Sequence, residues 1–145
     1  MPPASQTYWN PMVPELAVTD LAVSLRFYAA LGFSVRFTRS DPPFAYLELG
    51  RAQLMVEQLN AGSWETGPMD RPFGRGVNLS VEVPDSRRAA SSVEEGGYEL
   101  FEPVAERWYA VSEVLEEGQV EVLVQDPDGY LIRLIEPLGS RARAA

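Results

Sequence analysis

Two segments of the chain share one spacing, and that spacing constrains the fold more than any other feature. In VPELAVTDLAVSLRFYAALGF, Val13, Glu15 and Ala17 alternate with Leu16 and Val18, as on a strand. Asp20 then suits a helix N-cap, Leu21, Leu25 and Tyr28 recur at helical spacing, and Gly32 stands where a C-terminal cap belongs. Phe33 to Thr38 reads as the next strand. In VNLSVEVPDSRRAASSVEEGGYELF the order returns: a strand from Val77 to Val83, a cap at Asp85, a helix from Ser86 to Glu95, Gly96-Gly97, and a strand from Tyr98 to Phe101. Asp20 to Gly32 and Asp85 to Gly97 are both twelve positions. Each half then continues into a hairpin, Phe44 to Leu49 with Gln53 to Gln58, and Val120 to Gln125 with Tyr130 to Glu136. The expected fold is therefore α+β, one domain of two βαβββ modules forming a curled mixed sheet around a cleft. Module one spans 13–58 and module two 77–136, joined by a Gly- and Pro-rich linker, 59–76. An arm, 1–12, precedes them, and it can lie on its own subunit, fray, or embrace a second chain. A tail, 137–145, carries Arg141 and Arg143 and is expected to be disordered.

Composition removes several chemistries. The chain contains no Cys and no His, and all 12 of its basic residues are arginines. Thiolate chemistry, Schiff-base catalysis and imidazole acid–base or metal chemistry are thereby excluded. Acid–base work would fall to Asp, Glu or Tyr. The formal charge of −9 disfavours nucleic acid and favours cationic ligands. There is no apolar run of roughly 18 residues and no signal-peptide pattern at the start, so neither a membrane partner nor secretion is expected. A cytoplasmic location is the expectation. Glu113, Glu116 and Glu117 read as a solvated loop or as the rim of a cation-binding cleft.

VTDLAVSLRFYAALGF and QDPDGYLIRLIE resemble segments of the vicinal oxygen chelate superfamily, which includes glyoxalases, extradiol dioxygenases and bleomycin-resistance proteins. The resemblance covers about residues 8–139 and implies paired modules around a cleft, commonly in a homodimer, with exchange of the N-terminal arm in some members. Metal-dependent members place His, His and Glu at three cavity positions. The positions that match are Val13, Asn78 and Arg133, seven residues before Asp20, seven before Asp85, and seven after Asp126. Val does not ligate, Asn is a weak ligand and Arg is a permanent cation. No metal and no cofactor are therefore expected. Within the superfamily the chain looks most like bleomycin-resistance proteins. It shares Val13-Pro14-Glu15-Leu16, Leu54-Met55-Val56-Glu57 and the DPDG-x-L-x-R-L-I ending. Those proteins are not enzymes; they sequester a cationic antibiotic in acidic clefts at a dimer interface and stack its rings on aromatic side chains. Phe44 matches the stacking phenylalanine, while the position of the stacking tryptophan falls near Gly118. Trp108, in a neighbouring loop, or Trp64, in the linker, would have to replace it.

Arg133 sits in an apolar run and needs an anionic partner, because a buried unpaired charge costs several kcal/mol. Glu15 or Glu57 is the expected partner. Either that pair closes the cavity, or Arg133 also grips an anionic group of a ligand. The implied site comprises Phe44, Tyr46, Glu57, Trp64, Asn78, Trp108 and Arg133, holding a small cationic or aromatic molecule. The expected function is sequestration of the bleomycin-resistance type. The alternative is a lyase, isomerase or other enzyme of the superfamily, with Glu57 or Glu15 as base and Arg133 holding an anionic intermediate.

Overall fold

The computed structural model describes residues 8–144. Two modules follow one plan. In the first, β1 (Glu15–Val18) leads into α1 (Leu21–Leu31), then β2 (Ser34–Ser40), β3 (Pro43–Leu49) and β4 (Ala52–Gln58). In the second, β5 (Asn78–Glu82) leads into α2 (Ser86–Glu95), then β6 (Leu100–Ala110), β7 (Leu115–Gln125) and β8 (Leu131–Ala142). Each module makes a four-stranded mixed sheet, ordered β1-β4-β3-β2 and β5-β8-β7-β6. The first strand of each runs parallel to the last, and the other pairs are antiparallel.

The repeat extends to the helix caps. The Asp20 side chain accepts from the Val23 amide at 3.2 Å, and Asp85 accepts from the Arg88 amide at 3.0 Å. Each first helical amide is met by the end of its own sheet: Leu21 donates to Gln58 Oε1 and Ser86 to Glu136 Oε1, both at 3.0 Å. Both helices stop at a glycine of positive φ, Gly32 at 110° and Gly97 at 86°, where a Cβ would be strained.

Both sheets turn the same kind of face toward one shared core. Leu16, Val18, Ala45, Leu47, Leu54 and Val56 of module one and Val81, Val122, Val124, Ile132 and Leu134 of module two join Phe27, Tyr28, Leu31, Ala90 and Val93 of the helices in a single cluster. The alternate residues, Glu15, Phe44, Tyr46 and Glu57 on one sheet and Ser80, Glu121 and Arg133 on the other, therefore lie on the face of each sheet turned away from that core. Their positions relative to one another decide what a single chain can do.

The DPDG turn clasps the halves together. Asp128, 1% exposed, accepts from the Thr19 amide at 3.0 Å and the Thr19 hydroxyl at 2.7 Å, and pairs with Arg71 of the linker at 2.8 Å. Asp126 accepts from the Tyr28 hydroxyl at 2.8 Å, and the Tyr130 hydroxyl donates to the Ala17 carbonyl at 2.9 Å. Burial raises the Asp126 carboxyl above its ordinary value, against the pull of these hydrogen bonds. Burial, with the nearby aspartates, pushes the Tyr130 phenol up to about 12.

Three expectations change. Residues 137–142, read as a frayed tail, belong to β8, where Arg141 pairs with Glu116 and lies 3.8 Å over the Trp108 ring. Glu116 and Glu117 lie in β7 and not in a loop, since β7 starts at Leu115 to pair with this longer β8. Trp108 lies in β6, not in a loop, because β6 extends to Ala110 along β7. Among the described residues no helix is long and apolar enough to cross a membrane.

Candidate functional site

Arg133 lies on the outer face of the module-two sheet, opposite Ser80 of β5 and Leu123 of β7. Its Nε donates to the Ser80 hydroxyl at 2.9 Å, and Nη1 stands 3.7 Å from Glu121. Glu121, not Glu15 or Glu57, is therefore its carboxylate. Glu121 sits one strand over and two residues off the directly opposite position, so their side chains meet diagonally across β7 and β8. Glu15 and Glu57 are on the other sheet. Glu121 is 3% exposed and is also met by the Tyr109 hydroxyl and, at 3.9 Å, by Arg107. Burial and the Glu121 hydrogen bond raise the Tyr109 phenol, while Arg133 and Arg107 act in the opposite direction. The guanidinium of Arg133 keeps 30% of its side chain exposed at the edge of this cluster.

The outer face of module one is aromatic. Phe37 and Tyr46 stack at 5.3 Å and 16°, with Trp9 edge-on to Tyr46 at 5.0 Å. Arg36 lies 4.5 Å over Trp9, and Arg39 lies 4.5 Å over Phe44. Phe44 and Tyr46 are both buried as a result, so in the single chain the Phe44 ring is covered by an arginine of the chain itself. Residues 8–10 of the arm dock on their own subunit. The Gln53 amide nitrogen donates to the Tyr8 carbonyl at 2.9 Å, and the Asn10 amide donates to Gln53 Oε1 at 2.7 Å. Residues 1–7 of the arm lie outside the described residues.

Glu15 and Glu57 are neighbours on this face. The Glu15 carboxyl is raised from 4.5, first by lost hydration and second by the charge of Glu57, while Arg39 lowers it. Ionising Glu15 thus costs stability above its folded pKa, and the cost is relieved as the pH falls toward the unfolded value. Glu57→Gln is expected to bring the Glu15 pKa down, measured by carboxyl-carbon NMR titration. An unchanged value would show that the two carboxylates do not sense each other.

The structure brings Phe44, Tyr46 and Glu57 together on the non-core face of one sheet, and places Asn78 and Arg133 on the non-core face of the other sheet. Trp108 lies across Gly118, where an added Cβ would stand 2.6 Å from the ring. Its indole nitrogen donates to Glu106 at 3.0 Å. Strand alternation puts Trp108 on the face of β6 away from Tyr109 and Arg107, and so away from Arg133. Trp64 is 94% exposed in the linker and makes no ring contact among the described residues. Sequence reasoning missed Glu121, Ser80 and the cover of Arg39 and Trp9 over the aromatic face. Glu121 was findable: counting back from the DPDG turn along the hairpin places it diagonally beside Arg133.

The metal positions do not fit a metal. Val13 and Asn78 line one cavity in the seam between the modules, but Val13 has no donor atom. Arg133 brings a fixed positive charge to the third position and spends its hydrogen bonds on Ser80 and Glu121. Among the described residues no three His, Cys, Asp or Glu side chains cluster closely enough to hold an ion.

No family model matches the chain, and no curated protein matches it. Solved structures do share its fold. TioX from Micromonospora sp. ML1 is 20% identical, with 94% of this chain and 99% of that one covered and a TM-score of 0.65. A protein from the mobile metagenome of V. Pseudocholerae is 23% identical, with 90% and 95% covered and a TM-score of 0.64. A glyoxalase/bleomycin resistance protein/dioxygenase from Alicyclobacillus acidocaldarius is 13% identical, with 89% and 92% covered and a TM-score of 0.60. The chain shares the fold of these three structures.

Proposed function

We propose that the chain is a metal-free small-molecule binding protein of the bleomycin-resistance type, acting by sequestration as a homodimer. The observation that carries this reading is the guanidinium of Arg133, which stands at a metal position and is held there by Glu121 and Ser80. The formal charge of −9 supports a cationic ligand through steering. In such a dimer a second copy would set the aromatic, Glu15- and Glu57-bearing face of one chain against the Arg133 face of the other. Trp9, Phe101 and Tyr109 stay substantially exposed in one chain, as surface awaiting such a partner would.

The enzyme reading needs Glu15 or Glu57 beside Arg133, and within one chain they lie on the other sheet and, among the described residues, neither pairs with it. The carboxylate that is beside Arg133, Glu121, is already occupied by Tyr109. No observation therefore favours catalysis over binding.

Titration of the protein with bleomycin, followed by tryptophan fluorescence, is expected to give saturable binding with a Kd of about 10 µM or tighter. Light scattering after gel filtration is expected to give twice the chain mass. Absence of binding up to about 100 µM would remove bleomycin as the ligand, and a monomer that binds it fully would remove the cross-chain cleft.

A further inference from the structure

Residues 8–10 cross the aromatic face of module one as a strap. The Trp9 ring stands edge-on to Tyr46 at 5.0 Å and to Phe37 at 6.1 Å, and the Arg36 guanidinium lies 4.5 Å over it. Beneath the strap, polar side chains are nearly dry: Arg36 keeps 7% of its side chain exposed, Tyr46 5% and Gln53 6%. The strap is tied through its backbone. Arg36 Nη1 and Gln53 Nε2 donate to the Tyr8 carbonyl at 2.6 and 2.9 Å, and the Asn10 amide donates to Gln53 Oε1 at 2.7 Å.

This closed state carries a cost. Asn10 Oδ1 is buried with no hydrogen-bond partner among the described residues, and water would serve it once the strap lifts. Lifting would also hydrate the Arg36 guanidinium. Trp9 is 52% exposed even when docked, and Pro11 and Met12, which join the strap to β1, are exposed as well. A few hydrogen bonds and ring contacts thus oppose a desolvation penalty, the balance of a segment that opens locally without unfolding the sheets. From this arrangement we infer that the strap is a built-in competitor: Trp9 fills a ring subsite on Phe37, Tyr46 and Arg36, and a guest enters by displacing residues 8–10. The inference rests on the reading of this face as the ring-stacking side of a binding site, and adds to it a gate and a class of ring. The subsite takes a flat, neutral, electron-rich ring, because a guanidinium is drawn to the face of such a ring and repels a cationic one. Positive groups of the same guest belong beside Glu15 and Glu57, on the same sheet.

The test titrates isotope-labelled full-length protein with indole, a neutral electron-rich ring, and with 1-methylquinolinium, a flat cationic one. The Trp9 indole N–H, the Gln53 side-chain amide and the Phe37 and Tyr46 backbone amides are followed by NMR. A strap closed about nine-tenths of the time lowers apparent affinity about tenfold. Trp9→Ala is therefore expected to bind indole about tenfold more tightly than the parent, with Trp9→Phe, which keeps a ring, in between. In the parent, indole is expected to move the Trp9 N–H signal toward its position in an unfolded chain. Trp9→Ala is expected to bind the cationic ring at least about tenfold more weakly than indole. Thermal unfolding of each variant confirms that it folds. Equal indole affinity in parent and Trp9→Ala, no saturable shift in Trp9→Ala up to about 10 mM, or a cationic ring bound as tightly as indole would each overturn the inference, whether or not bleomycin binds. A tenfold gain for indole with bleomycin bound by neither form would keep the strap and remove the bleomycin-type ligand.

Discussion

An Asp128→Ala variant is expected to unfold about 3 kcal/mol more easily than the parent, read as a fall in the urea midpoint with little change in slope. Asp128 is almost wholly buried and serves three donors on two other segments: the Thr19 amide and hydroxyl of module one, and Arg71 of the linker. Removing it strands the Thr19 amide between the modules and frees the Arg71 side chain, while the linker keeps the bond from the Phe73 amide to the backbone carbonyl of residue 128 at 2.9 Å. The contrast with Arg71→Ala is the control. Arg71 keeps 60% of its side chain exposed, so water replaces much of what it gave, and its loss is expected to cost about 1 kcal/mol or less. If the two variants fall equally, Asp128 is not the clasp described here.

Arg133→Met is expected to cost about 2–3 kcal/mol, because it leaves Glu121 buried with only the Tyr109 hydroxyl and a distant Arg107. The loss should be less than that of a fully buried pair, since Arg133 is partly exposed and stands 3.7 Å away. Adding Glu121→Leu should restore most of the lost stability, because the stranded charge is then gone. Equilibrium unfolding of the two single variants and the double closes the cycle. Should Arg133→Met leave stability untouched, the guanidinium is not held by Glu121 in the way described, and its role belongs to whatever the cleft binds.

Much of the fold was legible because local signals agreed. Asp20, Gly32, Asp85 and Gly97 mark the helix ends through short-range chemistry, and all four act as caps or as stops beside them. The hairpins were readable from alternation and from glycine at the turns. The length of β6, β7 and β8 was not. Their outer halves are polar and rich in Glu, and they are strands because they pair with one another, which composition does not announce. The site was legible by residue and not by partner. Sequence reasoning placed Arg133 and Glu15 together in one cleft, whereas the carboxylate beside Arg133 is Glu121 of its own sheet. How the two modules join is set by one core common to both and by contacts such as Tyr28 to Asp126, separated by 98 positions in sequence. No periodicity within either module encodes it.

The division of the candidate site residues between two sheets has a consequence for how a guest would be held. If, as the proposed dimer has it, a guest held by the Arg133 face of one chain is completed by the Phe44 face of a second, capture and self-association become one coupled equilibrium. Apparent affinity for such a guest would then climb with the amount of protein present, and a cell could set its tolerance through expression level alone.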